Sequence, residues 1–180
     1  MVQKLITIIL IILSVPLYAG AESPYKGQQQ RDIKALSQSD IEGYLGGKGM
    51  GLAKAAELNH YPGPRHVLDS AKKLELTESQ IQKTQDLFNK MQSKAVKLGK
   101  QIVEKEKELD QLFAEGSIND GVLDEKLQEI GSLQAKLRYV HLSAHLEQKQ
   151  ILTKHQVMLY DQLRGYGSGS HGGDGHNHSH

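Results

Sequence analysis

Leu76-Thr77-Glu78-Ser79-Gln80 and Leu152-Thr153-Lys154-His155-Gln156 repeat one pattern, Leu-Thr-x-x-Gln, in the two halves of the chain. In each copy the Thr hydroxyl can accept a hydrogen bond from the backbone N–H three residues on, while the Gln reaches back to the Thr N–H, making a capping box. The Leu ahead of each Thr is placed to pack on an apolar residue four positions past the cap, Ile81 in the first copy and Val157 in the second. That contact is a hydrophobic staple. Each copy therefore marks the start of a helix.

Beyond Thr77, Ile81, Thr84, Phe88, Met91, Ala95, Leu98, Ile102, Lys105, Leu109 and Leu112 recur in steps of three and four. This heptad seam, broken by a single Lys, predicts one long helix over about 78–114 that packs on a partner at coiled-coil angles. Gly116-Ser117-Ile118-Asn119-Asp120-Gly121 supplies a C-terminal glycine, turn residues and a new cap, so the chain reverses there. The returning helix, about 121–151, carries Leu123, Leu127, Ile130, Leu133, Leu137, Val140 and Ala144 on one stripe. The second box then starts a last short helix with Val157, Leu159, Tyr160 and Leu163, ended by Gly165. The expected fold is all-α: a long antiparallel helical hairpin with short flanking helices. Two long helices bury little core by themselves, so a homodimer is expected to cover more of them.

Upstream, Met1 to Ala21 combines Lys4, an apolar run from Leu5 to Leu17 and the small-residue site Ala19-Gly20-Ala21. This reads as a cleaved signal peptide, residues 1–21, too short for the roughly 20 apolar residues of a spanning helix. Cleavage would leave 159 residues with equal numbers of acidic and basic side chains and no further membrane span. That balance gives no reason to expect a nucleic-acid partner. The chain has no Cys, which excludes disulfides, thiolate ligands and thiol nucleophiles.

Residues 22–63 are polar, with five glycines between Gly43 and Gly51, and read as a flexible connector. Gly46-Gly47-Lys48-Gly49 fails the phosphate-loop pattern, because no Ser or Thr follows Lys48 and no strand-like run precedes it. Leu52 to Leu58 could form two helical turns, and Pro64 suits the first position of a short helix reaching Leu74.

The Leu-Thr-x-x-Gln pair bracketing a hairpin in a small exported chain resembles the Spy/CpxP family of periplasmic stress proteins, whose relatives include the ZraP and CnrX metal-resistance proteins. The resemblance covers residues 64–165. It implies a dimeric, non-enzymatic periplasmic protein. The activity it suggests is an ATP-independent chaperone or stress adaptor that holds unfolded clients on a partly basic, partly apolar surface. The alternative it implies is a heavy-metal sensor whose occupancy changes contact with a membrane partner.

Three sets of residues could carry such functions. The motif residues Leu76, Thr77, Gln80, Leu152, Thr153 and Gln156 cap helices. Lys83, Lys90 and Lys97 recur every seven residues on a stretch where five Lys face one Asp, and are the candidate client-binding residues. Their stems can cover apolar surface while the ammonium groups stay in water; the plainer reading is a solubilising face. The Gly/His-rich tail, residues 166–180, is expected to be disordered. Its His171, His176, His178 and His180 could bind Zn, Ni or Cu, although no cofactor is required. His141 and His145, at i and i+4, share a helix face and could hold an ion if His60, His66, His155 or a Glu completed the set. Otherwise they are polar residues flanking the seam. No nucleophile elbow or H-E-x-x-H motif occurs, so no catalytic residue is expected.

Overall fold

The computed structural model describes residues 22–167; the proposed signal segment and the four tail histidines lie outside them. Six α-helices follow in order: α1 Gln38–Leu45, α2 Lys54–Glu57, α3 Pro64–Asp69, α4 Glu78–Ala114, α5 Asp120–Ile151 and α6 Lys154–Leu163. Among the described residues there is no strand. Helices α4 and α5 form the expected hairpin. α4 starts on the Thr77–Gln80 box and α6 on the Thr153–Gln156 box, with both reciprocal bonds present in each. α5 opens on the Asn119 side chain, which accepts from the Val122 N–H. α3 ends at Asp69, earlier than its apolar spacing suggested, and turns carry the chain to the first motif.

The two boxes also clasp each other. Each Gln Oε1 accepts from its own Thr N–H, at 3.0 Å for Gln80 and 2.9 Å for Gln156, which turns each amide nitrogen outward. Gln80 Nε2 donates to the Ile151 carbonyl and to Gln156 Oε1, at 2.9 and 2.8 Å. Gln156 Nε2 donates to the Leu74 carbonyl and to Gln80 Oε1, at 3.2 and 3.1 Å. The starts of α4 and α6 are thereby locked side by side at the open end of the hairpin. Below this lock Val67, Leu74, Leu152 and Tyr160 form a buried cluster, with Leu76 and Val157 packed on it. The second staple pair thus shares that cluster, whereas of the first pair Leu76 packs on it and Ile81 is exposed.

The seam on α4 is broader than a two-helix interface requires. Leu87 and Gly99 are buried beside Thr84, Met91, Ala95 and Ile102, while Phe88 and Leu98 are only partly covered. The reason is a third neighbour. Residues 22–63, expected as a flexible connector, instead carry α1 and α2 and lie along the hairpin. Ser37 and Asp40 form a capping box for α1, Ile33 and Leu36 are buried, and Tyr44 and Leu52 pack on the Ala95, Ile102 and Leu137 cluster. The glycines serve close approach: at Gly99 a methyl group would overlap the Tyr44 carbonyl, and Gly47 sits at φ 59° against Val96. The cover expected from a second copy is in part supplied by this arm within one chain.

Two further polar features cross the hairpin. Gln148 Nε2 donates to Thr84 Oγ1 at 3.2 Å between fully buried side chains. Lys105, the break in the heptad seam, lies 3.0 Å from Glu108 and 3.1 Å from Glu129, and Lys126 bridges the same two carboxylates. The mixed-charge run on α4 therefore includes an interhelical ion cluster, in addition to a solvated face.

Candidate functional site

Two of the concave regions along α4 hold the candidate residues. The first is an open groove. Its floor is Leu87, Met91, Val140, Ala144 and Ile151, and Lys83, Lys90 and Lys94 stand on its rim with Asp86 and Glu147. The wider end, between Gln80 and Ile151, encloses about 460 Å3. Tyr139, which lines the narrow end, is 71% exposed. Here the structure brings together two of the three expected lysines. Lys97 is exposed but lines neither part of the groove. Lys97 stays on nearly the same face, since a straight α-helix drifts only about 20° per heptad, but it lies beyond the end of the groove at Lys94 and Tyr139. Lys94, four residues past Lys90 and therefore on the same face, joins the rim instead. That i, i+4 relation was the available signal for it.

The second region is a cleft of about 340 Å3 between the glycine loop and α5. Gly46 to Gly49 form one wall; Gly63, Pro64, Arg65 and His66 form another; Phe88, Met91 and Gln92 of α4 lie beneath, with His141 and His145 of α5. His141 is 4% exposed, and its Nε2 is buried without a hydrogen-bond partner. Burial, and then the neighbouring His145, hold its pKa below the usual histidine value, so the ring is kept neutral. His145 Nδ1 lies 2.7 Å from the Tyr61 carbonyl. Since a carbonyl only accepts, Nδ1 carries a proton, and in the neutral ring the lone pair is then on Nε2. Nε2 abuts Gly63, where a Cβ would come within 3.0 Å of it. Arg65 lies over the Phe88 ring at 5.7 Å from its centroid.

The sequence pair His141 and His145 thus does share a face and a cleft. Of the proposed completing residues, His66 lines the same cleft, whereas His60 is turned to Asp161 on α6 at 2.8 Å. Among the described residues no three His, Cys, Asp or Glu side chains come close enough to hold an ion. The nearest carboxylate, Glu57, approaches His145 only on its Nδ1 side, at 3.8 Å. Its Oε1 accepts from the Tyr160 hydroxyl at 2.6 Å and faces Arg164 at 3.4 Å, so Glu57 ties the arm to α6. No helix of the described chain is long and apolar enough to cross a membrane.

No family model, curated protein or solved structure matches this chain.

Proposed function

We propose that this protein is an ATP-independent holdase or stress adaptor of the periplasm, similar in kind to the Spy/CpxP proteins, with transition-metal binding on its His-rich tail. The observation that supports the reading is the groove between α4 and α5, which joins an apolar floor to a rim of Lys83, Lys90 and Lys94 and is left open by the arm. Unfolded chains expose apolar side chains, which such a floor can cover. The rim ammonium groups add steering toward acidic segments, while Asp86 and Glu147 limit the net charge and keep capture reversible. No step requires a nucleotide or a catalytic group.

The test is suppression of client aggregation. Substituting Lys83, Lys90 and Lys94 by Glu is expected to slow capture of an acidic unfolded client about tenfold, and raised salt should shrink the difference. Lys97→Glu alone should leave suppression near wild type. Equal suppression by the triple variant would remove the groove from the account.

Metal binding is assigned to the tail. Changing His171, His176, His178 and His180 to Gln in the full chain is expected to abolish micromolar binding of Zn, Ni and Cu in calorimetry. Binding that survives those changes but disappears with His141→Gln would favour the alternative, a heavy-metal sensor of the ZraP or CnrX kind with an ordered site in the helical body.

A further inference from the structure

The cleft beneath the glycine loop has a chemistry of its own. The side chains on its lining that can carry charge are Lys48, Arg65, His66, His141 and His145; the carboxylates nearest them, Asp69 at 3.2 Å from Arg65 and Glu57 at 3.8 Å from His145, stand behind that lining. On the lining itself a bare dication would meet two cationic side chains and no anionic ligand, whereas an anion would meet Lys48 and the outward N–H groups of Arg65. The volume, about 340 Å3, lies within the roughly 300–1,000 Å3 of small-molecule sites. The buried, unpartnered Nε2 of His141 is a polar group whose desolvation nothing in the chain offsets.

We propose that this cleft binds a small organic anion that carries a hydroxyl beside its charged oxygen, as an α-hydroxy acid or the monoanion of a phosphate monoester does. The anionic oxygen takes the terminal N–H groups of Arg65, whose Nε is held by Asp69 at 3.2 Å, with Lys48 on the opposite wall adding positive charge. The hydroxyl donates to the Nε2 lone pair of His145, whose tautomer is fixed by the Tyr61 carbonyl behind it. An apolar body lies on Phe88, Met91 and Pro64. Gly63 is part of the recognition, because a methyl group there would stand 3.0 Å from His145 Nε2 and cover the acceptor. Its backbone, at φ −84° and ψ 141°, is open to any residue, so the glycine is not required by the turn. The glycine loop closes the opposite wall with backbone alone. This places a ligand site where the arm meets the hairpin and gives the ordering of residues 22–63 a role beyond cover.

The experiment is calorimetric titration of the full chain at about pH 6, where a phosphate monoester still holds much of its second proton, with mandelate and with phenyl phosphate, beside the neutral isostere mandelamide and zinc chloride. Mandelate or phenyl phosphate is expected to bind at one site per chain with Kd below about 1 mM, and mandelamide at least about tenfold more weakly. Arg65→Gln, at an exposed position, should weaken the anion about tenfold or more while leaving the melting temperature near wild type; Gly63→Ala, whose methyl would stand 2.9 Å from the His145 ring, should weaken it as much and also lower the melting temperature. Failure of both anions to bind, or mandelamide binding as tightly as mandelate, overturns the proposal. So does a zinc stoichiometry that falls by one in His141→Gln and is untouched by Arg65→Gln. Client suppression is read separately in the groove variants, so failure here leaves the holdase reading standing.

Discussion

Gln156→Ala is expected to destabilise the protein by about 3 kcal/mol, more than most single substitutions. The side chain is 8% exposed. Its removal deletes the donor to the Leu74 carbonyl, the two-way bond with Gln80, and the acceptor for the Thr153 N–H. A net hydrogen bond contributes about 1 kcal/mol, and a buried partner left unsatisfied costs more than that. Gln80→Ala should cost less, about 1–2 kcal/mol, because Gln80 is only half-buried and water can reach its partners. The double variant should fall short of the sum by at least about 0.5 kcal/mol, since each single change already breaks the shared amide pair. Denaturant unfolding of the four proteins measures this cycle. A loss below about 1 kcal/mol for Gln156→Ala, with strict additivity, would mean that the two motifs cap their helices independently.

Gly99→Ala is expected to be the second large effect, and it acts on the arm rather than on the hairpin. In an isolated helix this change stabilises by about 1 kcal/mol. Here the new methyl would overlap the Tyr44 carbonyl, which belongs to backbone and cannot swing away. Overpacking of this kind costs about 1–3 kcal/mol, so the sign is reversed. The arm should lift from α4, exposing Ala95, Ile102 and Leu137 where Tyr44 and Leu52 had packed. Tryptic cleavage after Lys48 and Lys54, both exposed but held on an ordered backbone, is expected to accelerate about tenfold with the helical circular dichroism of the hairpin retained. Stabilisation without faster cleavage would show that the arm is not packed at Gly99.

These two positions also show how far the sequence could be read. The Leu-Thr-x-x-Gln repeat set the starts of α4 and α6 to the residue, because a capping box is written in contiguous sequence. The bond between the boxes was not legible, since Gln80 and Gln156 meet only when the hairpin returns one beside the other. The arm was misjudged for a physical reason: glycine signals either freedom or close approach, and composition does not distinguish them. Ser37-Gln38-Ser39-Asp40 was the local sign that α1 starts there. Likewise the spacing of His141 and His145 put them on one face, but that the glycine loop would wall the cleft in front of them depends on contacts about 95 residues apart. Helical spacing put Lys90, Lys94 and Lys97 on one face, but where the groove ends along the helix is set by α5 and was not legible.

Where a client is held is tested most directly by photo-crosslinking. A photoreactive phenylalanine derivative at Tyr139, exposed on the groove, is compared with one at Met158, 59% exposed on α6 and away from it. With an unfolded client present, crosslinks are expected from position 139 and not from position 158, and the Glu substitutions at Lys83, Lys90 and Lys94 should diminish them. Equal crosslinking from both positions, or crosslinks from position 158 alone, would contradict the groove as the client surface.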